Sequence, residues 1–183
     1  RSQMDFPRLE NGLYPRELWM TEVYVPNSDH DADLWPEAIE VAVNMHNAVV
    51  VGGMNAYVWW YIRRSYGPMK ENGQISKRGY MMAQFSKFVR PGAVRVDATE
   101  FPANNVYVSA YKNSDGSLVI VAINNSNESY AQQFNVSGKT IKNVNRYRSS
   151  SSENLLLTKN LALTGNGFWA QLNSKTVSTF VVS

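Results

Sequence analysis

Two short stretches of this chain hold residue types that do chemistry when they meet. The first, LWMTEVY at 18–24, is apolar and closes on Glu22 and Tyr24. The second, YVWWYIRRSYGP at 57–68, sets Trp59, Trp60 and Tyr61 beside Arg63 and Arg64, with Tyr66 beyond. A carboxylate ending an apolar run needs a reason, because burying it unpaired is expensive. One reason is catalysis, since barrel enzymes carry their reacting groups at the C-terminal ends of strands. The plain alternative is a strand whose last residues reach solvent. An acid ringed by aromatics suits a sugar, whose faces stack on the rings while the acid handles the acetal. The arginine pair adds a bidentate match for a carboxylate. Such a charge-assisted bond contributes roughly 1.5–3 kcal/mol, whereas an exposed ion pair contributes less than about 1 kcal/mol.

The elements that must position these groups follow from local pattern. Residues 18–24 read as a buried strand, with Leu18, Met20, Glu22 and Tyr24 on one face and Trp19, Thr21 and Val23 on the other. After a polar loop, Asp33 is a candidate N-cap and Pro36 falls in a first turn. Ala38, Ile39, Ala42, Met45, His46 and Val49 then recur at helical spacing as far as Gly52-Gly53, a natural stop. Residues 55–62 read as a second buried strand. Strand, helix and strand over this distance imply parallel pairing. That pairing puts both strand ends on one rim, with Tyr24, Ser28, Trp60, Tyr61, Arg63, Arg64 and Tyr66 around Glu22. A polar loop, a second helix over 76–89 and a stop at Arg90-Pro91-Gly92 complete residues 1–92.

Beyond Gly92 the texture becomes β. Strands are predicted at 93–97, 106–112, 118–124, 130–136, 141–148, 167–172 and 176–182, separated by turn signals such as Asn113-Ser-Asp-Gly116. Several alternate polar and apolar residues, as half-solvated antiparallel strands do. The fold class is therefore α/β plus all-β, with residues 93–183 forming a β-sandwich. Two parallel strands leave open edges, and a full (β/α)8 barrel takes roughly 250 residues. Residues 1–92 thus read as part of a TIM barrel whose remainder lies in a longer chain or in a second polypeptide.

Composition narrows the partners. The 183 residues are 44% hydrophobic and carry a net charge of +3, with Lys and Arg scattered rather than striped, which argues against nucleic acid. No run is long enough to span a membrane. There is no cysteine, so a disulfide framework and thiolate metal sites are excluded. His30 and His46 have no partner at metal-ligand spacing, so neither metal nor cofactor is expected. Glu37 and Glu40 suit the positive end of a helix. The sequons at Asn124 and Asn135 are the kind that arise by chance.

Together with ISKRGY at 75–80, FSKFVRPG at 85–92, NNVYVSAY at 104–111 and GFWA at 167–170, the two opening stretches resemble bacterial glucuronoxylanases of glycoside hydrolase family 30, subfamily 8. The resemblance covers nearly the whole chain and the second half of such an enzyme. It implies a retaining endo-β-1,4-xylanase, secreted, with a (β/α)8 barrel and an attached side sandwich. On that footing residues 18–24 and 57–62 are the seventh and eighth barrel strands and Glu22 is the nucleophile. Arg64 pairs with the carboxylate of the 4-O-methylglucuronate branch, Tyr24, Ser28 and Tyr66 hydrogen-bond it, and Trp60 and Tyr61 support branch and backbone. The proton-donating glutamate belongs near the fourth strand, which no part of this chain matches. Rival readings are a non-catalytic carbohydrate-binding sandwich and a family relative acting on neutral xylan.

Overall fold

The computed structural model describes residues 17–23, 31–138, 140–159 and 161–183. Strand β1 (Trp19–Val23) pairs in parallel with β2 (Ala56–Trp59), and helix α1 (Glu37–His46) with its π-helical continuation Asn47–Val51 lies between them in sequence. The turn back into β2 uses Gly53 at φ 61, a left-handed position that glycine takes without steric cost.

Strict alternation does not hold along β1. Trp19 pairs with Ala56 and Met20 with Tyr57, yet Val23 pairs with Trp59. Three steps on β1 therefore match two on β2, which is a bulge. Met20 and Val23 accordingly share the side of Tyr57 and Trp59, which pack on the helices, while Thr21 and Glu22 are both exposed opposite Val58. The expected second strand is also shorter than 55–62. It stops at Trp59 because Tyr61 takes φ 57 and breaks the extended chain.

Helix α1 begins three residues later than an Asp33 cap would place it, with Pro36 at the N-cap and no side-chain cap bond. Asp33 serves the other helix instead. Its carboxylate accepts the backbone N–H of Lys77 at 2.9 Å and the Lys70 ammonium at 2.7 Å. Lys77 is the first residue of α2 (Lys77–Ser86), which Ser76 caps through its hydroxyl at 3.1 Å from the Gly79 nitrogen.

The remaining strands are β3 (Val94–Val96), β4 (Val106–Lys112), β5 (Leu118–Asn124), β6 (Tyr130–Asn135), β7 (Val144–Ser149), β8 (Leu156–Thr158), β9 (Leu163–Thr164), β10 (Gly167–Leu172) and β11 (Thr176–Val182). They form an antiparallel six-stranded sheet, β3-β4-β5-β11-β7-β8, and a three-stranded sheet, β6-β10-β9. Between the sheets lie Val108, Ile120, Phe134, Phe168 and Phe180, with the Phe134 and Phe168 rings stacked at 5.0 Å. The central strands of the larger sheet are not half-solvated. Their second face, carrying Tyr111, Val119, Val121, Ile123 and Val177, packs against Ile39, Ala42, Met81 and Phe85 of the two helices. Both faces are apolar because both are covered. The helical layer and the six-stranded sheet thus share a second core, on the opposite face of that sheet from the one inside the sandwich.

Candidate functional site

Parallel pairing delivers the ends of β1 and β2 to the same end of their sheet. The ladder continues one residue past β2, where the Trp60 nitrogen donates to the Val23 carbonyl at 2.8 Å. The chain next to Glu22 is therefore tied directly to the start of the aromatic-arginine loop. Glu22 itself is exposed.

Within the loop the left-handed turn at Tyr61 folds its ring against Trp60, with centroids 4.6 Å apart and planes at 62°. The Arg64 guanidinium lies over the same Tyr61 ring, 4.6 Å from its centroid. The two arginines then differ in commitment. Arg63 donates to the Glu71 carbonyl, from Nε at 3.0 Å, and lies 3.8 Å from the Glu71 carboxylate. Arg64 reaches the other Glu71 oxygen only at 4.0 Å, and its side chain is 49% exposed. An exposed ion pair of that length contributes about 0–1 kcal/mol, and the exposed cation–π contact about 0.5–1 kcal/mol. Arg63 is thus tied to Glu71, and Arg64 is held in place while its outer face stays open.

Of the other predicted site residues, Tyr66 lies on the same loop, half-buried, with its carbonyl accepting from Arg78 Nη1 at 3.0 Å. Tyr24 and Ser28 fall outside the described residues, as does His30.

Sequence reasoning missed the residues that hold this loop. Arg78 is fully buried, 3.4 Å from a Glu37 carboxylate oxygen, and its backbone nitrogen donates to Ala32 at 3.2 Å. Burial pushes the guanidinium pKa down, and Glu37 opposes that by favouring the charged form. Ala32 in turn donates to the Ser65 carbonyl at 3.0 Å. Burial alone raises the Asp33 carboxyl, but Lys70 and the Lys77 N–H outweigh it and hold it below its ordinary value. The Ser76 hydroxyl donates to the Gly67 carbonyl at 2.7 Å. A Cβ at Gly79 would sit 2.1 Å from the Pro68 carbonyl oxygen, so the loop lies directly on the first turn of α2. One signal could have found this anchor. Lys77 and Arg78 are cations in the first turn of a helix, where the dipole disfavours them, and such a placement needs another reason.

The arrangement offers a carboxylate, an aromatic shelf and a cation within one strand-end neighbourhood. Among the described residues no group of three or more His, Cys, Asp or Glu is placed to hold a metal ion, and no helix is long and apolar enough to cross a membrane. Asn124, the first sequon residue, is buried and donates to the Glu128, Leu172 and Asn173 carbonyls, so it is a structural amide. A cleft of about 780 Å³ opens elsewhere, between the inner face of β4 and β5 and the edge of β6, with Lys112, Gln132 and Phe134 among its walls. On the three-stranded sheet Trp169 is 47% exposed, directly across from Gln133.

Residues 92–180 match the family model described as the glycosyl hydrolase family 30 beta sandwich domain. Over 183 residues the chain is 57% identical to the glucuronoxylanase XynC of Bacillus subtilis strain 168, covering all of this chain and 43% of that protein. The crystal structure of a GH30 endoxylanase from Clostridium papyrosolvens superposes with a TM-score of 0.83 at 40% identity, over 92% of this chain and 42% of that one. The subfamily 8 xylanase Xyn30A from Clostridium acetobutylicum gives 0.82 at 37%, over 92% and 43%. The chain thus spans less than half the length of these relatives. In each of them the matched stretch is continuous with the rest of one polypeptide, so the expectation of a separate second polypeptide finds no support.

Proposed function

We propose, for a chain that belongs to glycoside hydrolase family 30, that its paired strand ends carry the nucleophile and the branch-reading half of a retaining endo-β-1,4-xylanase site. In this reading residues 1–92 are the last two βα units of a (β/α)8 barrel and residues 93–183 its side sandwich. The exposed side of the β1–β2 sheet, where Trp19 and Val58 lie bare beside Glu22, is what further barrel strands would cover.

Glu22 attacks C1 of the xylose at the scissile bond, and the departing oxygen takes a proton from a glutamate outside this chain. Water then hydrolyses the glycosyl–Glu22 ester as that second glutamate recovers its proton. Retention requires the two carboxyl groups to stand roughly 5–5.5 Å apart. Arg64 moves no proton. It pairs with the carboxylate of a 4-O-methylglucuronate branch, Tyr24, Ser28 and Tyr66 hydrogen-bond that sugar, and Trp60 and Tyr61 support it and the adjoining backbone. Binding a remote branch orients the scissile bond, so an undecorated chain loses rate as well as affinity. An insoluble wall polymer as substrate implies secretion.

The observation that carries this reading is the Trp60–Tyr61–Arg64 stack at the same sheet end as Glu22. Digesting glucuronoxylan with the enzyme that carries this chain, and sizing the products, tests it. Products whose ends stand at a fixed distance from each branch support it; products unregistered to the branches overturn the Arg64 role. A non-catalytic carbohydrate-binding sandwich is the second reading, favoured by the sandwich cleft and the exposed Trp169. Binding without any cleavage selects it.

A further inference from the structure

We infer that Arg78 is a positioning residue for recognition of the acidic branch: from the buried first turn of α2 it fixes the backbone that presents Arg64. The inference rests on the functional reading given to Arg64 and goes beyond it, because Arg78 has no exposure with which to touch a sugar.

The geometry isolates its target. Arg64 is followed by two pinned carbonyls. Ser65 accepts from the Ala32 nitrogen at 3.0 Å, and Tyr66 accepts from Arg78 Nη1 at 3.0 Å. Both pins converge on Arg78, whose own backbone nitrogen donates to the Ala32 carbonyl at 3.2 Å. The Arg78 side chain therefore holds the Tyr66 carbonyl directly, while its backbone meets the Ala32 segment that holds the Ser65 carbonyl. The stretch ends at Gly67, where a Cβ would meet the Tyr61 carbonyl at 2.9 Å and the Ile62 carbonyl at 2.8 Å, so the loop is closed tightly on itself. A loop of that tightness transmits a shift at Tyr66 to Arg64.

The choice of residue is informative as well. A cation in the first turn of a helix opposes the dipole, and burying it is costly before Glu37 offsets part of that. An apolar residue would hold α2 in the core at lower cost. A planar guanidinium satisfies a carbonyl on one arm and a carboxylate on the other in fixed geometry, which a lysine ammonium does not. Rigid presentation of Arg64 is the return, since a misplaced bidentate partner loses its orientation before its charge.

The test is Arg78→Lys in the enzyme that carries this chain, measured on glucuronoxylan and on unbranched xylo-oligosaccharides, with thermal melting and trypsin cleavage after Arg63 and Arg64 alongside. The expected result is a loss of about tenfold in kcat/KM on the branched polymer, little change on the unbranched one, and faster trypsin cleavage of the loop. Adding Arg64→Ala should make the Arg78→Lys effect on branch preference vanish, because both act through one guanidinium. Equal losses on both substrates, or an Arg78→Lys effect that persists without Arg64, overturns the inference. Where Arg78→Lys does not fold, Glu37→Gln, which weakens the same anchor from the exposed side, is read by the same criteria. A parent enzyme indifferent to branching would sink the Arg64 reading itself; trypsin then decides Arg78 separately, faster cleavage supporting its hold on the loop and unchanged cleavage removing it.

Discussion

The Arg64 guanidinium lies 4.6 Å above the ring of Tyr61, while its nearest carboxylate among the described residues, on Glu71, is 4.0 Å away. The ring fixes where the charge stands without consuming its hydrogen-bond donors, and the loose Glu71 contact yields to a better carboxylate. Arg64→Ala should therefore lower kcat/KM on glucuronoxylan by about 10- to 100-fold, the equivalent of one charge-assisted pair of roughly 1.5–3 kcal/mol. On unbranched xylan the change should stay within about twofold. Rates on the two substrates, measured side by side, check this. Equal losses would mean that Arg64 supports the loop and reads nothing.

Glu22 is the penultimate residue of β1, on the exposed side of a bulge, opposite Val58. As nucleophile it should be irreplaceable by its amide. Glu22→Gln should abolish hydrolysis while leaving polysaccharide binding intact. Glu22→Ala should regain turnover on an activated xyloside when azide is added, giving a glycosyl azide of inverted configuration, because the small anion enters the vacated space. Product anomer by NMR reads the outcome. Residual hydrolysis near the parent rate would remove Glu22 from the mechanism.

Much of this was legible because two periodicities dominate. β4, β5, β10 and β11 occupy the predicted residues because runs of β-favouring residues end at clear turn signals. The parallel β1–β2 pairing followed from the spacing around α1. What failed was non-local. Asp33 looked like a cap for α1 because a cap is recognised by sequence proximity, yet it binds Lys70 and the Lys77 nitrogen across more than thirty residues. The bulge in β1 and the left-handed Tyr61 leave no local trace in residues that favour strands. β8 and β9 are three and two residues long, too short for any period to show. Of the candidate site, Glu22, Trp60, Tyr61 and Arg64 were visible as chemistry. Their anchors, Arg78 and Glu37, were visible only as charges on helix starts.

His46 gives the fold an acid limit. It is fully buried between Phe101 and Tyr107, whose rings meet it edge-on at 5.8 and 5.5 Å, and neither ring nitrogen has a hydrogen-bond partner among the described residues. Burial first, and the Arg95 charge second, push its pKa down to about 4. Above pH 6.5 the imidazole is neutral folded or unfolded, and its contribution to stability is fully present. As pH falls, the unfolded chain takes up the proton near 6.5 while the folded one resists until about 4. About 3 kcal/mol is therefore lost across that window and no more below it. Urea titrations from pH 7 to 4 should show the loss, and His46→Phe should flatten it. A His46→Phe protein with the parent's pH slope would assign the acid sensitivity elsewhere.

Gln84 joins α2 to the sandwich sheet. Its amide donates to the Ser149 hydroxyl at 2.9 Å and to the Val177 carbonyl at 3.3 Å, and the Thr179 hydroxyl donates to the Gln84 backbone carbonyl at 2.7 Å and to its side-chain oxygen. All four residues are at the shared core between helices and sheet, where an unmade bond carries its full desolvation cost. Gln84→Leu keeps the volume near the original but removes the amide's partners, leaving the Val177 carbonyl and the Ser149 hydroxyl short of a donor. A loss of about 1–3 kcal/mol is expected, read as a lower urea midpoint with an unchanged slope. Pairing it with Thr179→Val should give less than the sum of the two single losses, since each variant strips the other's partner. Additive losses would mean that the amide and the hydroxyl stabilise the junction independently of one another.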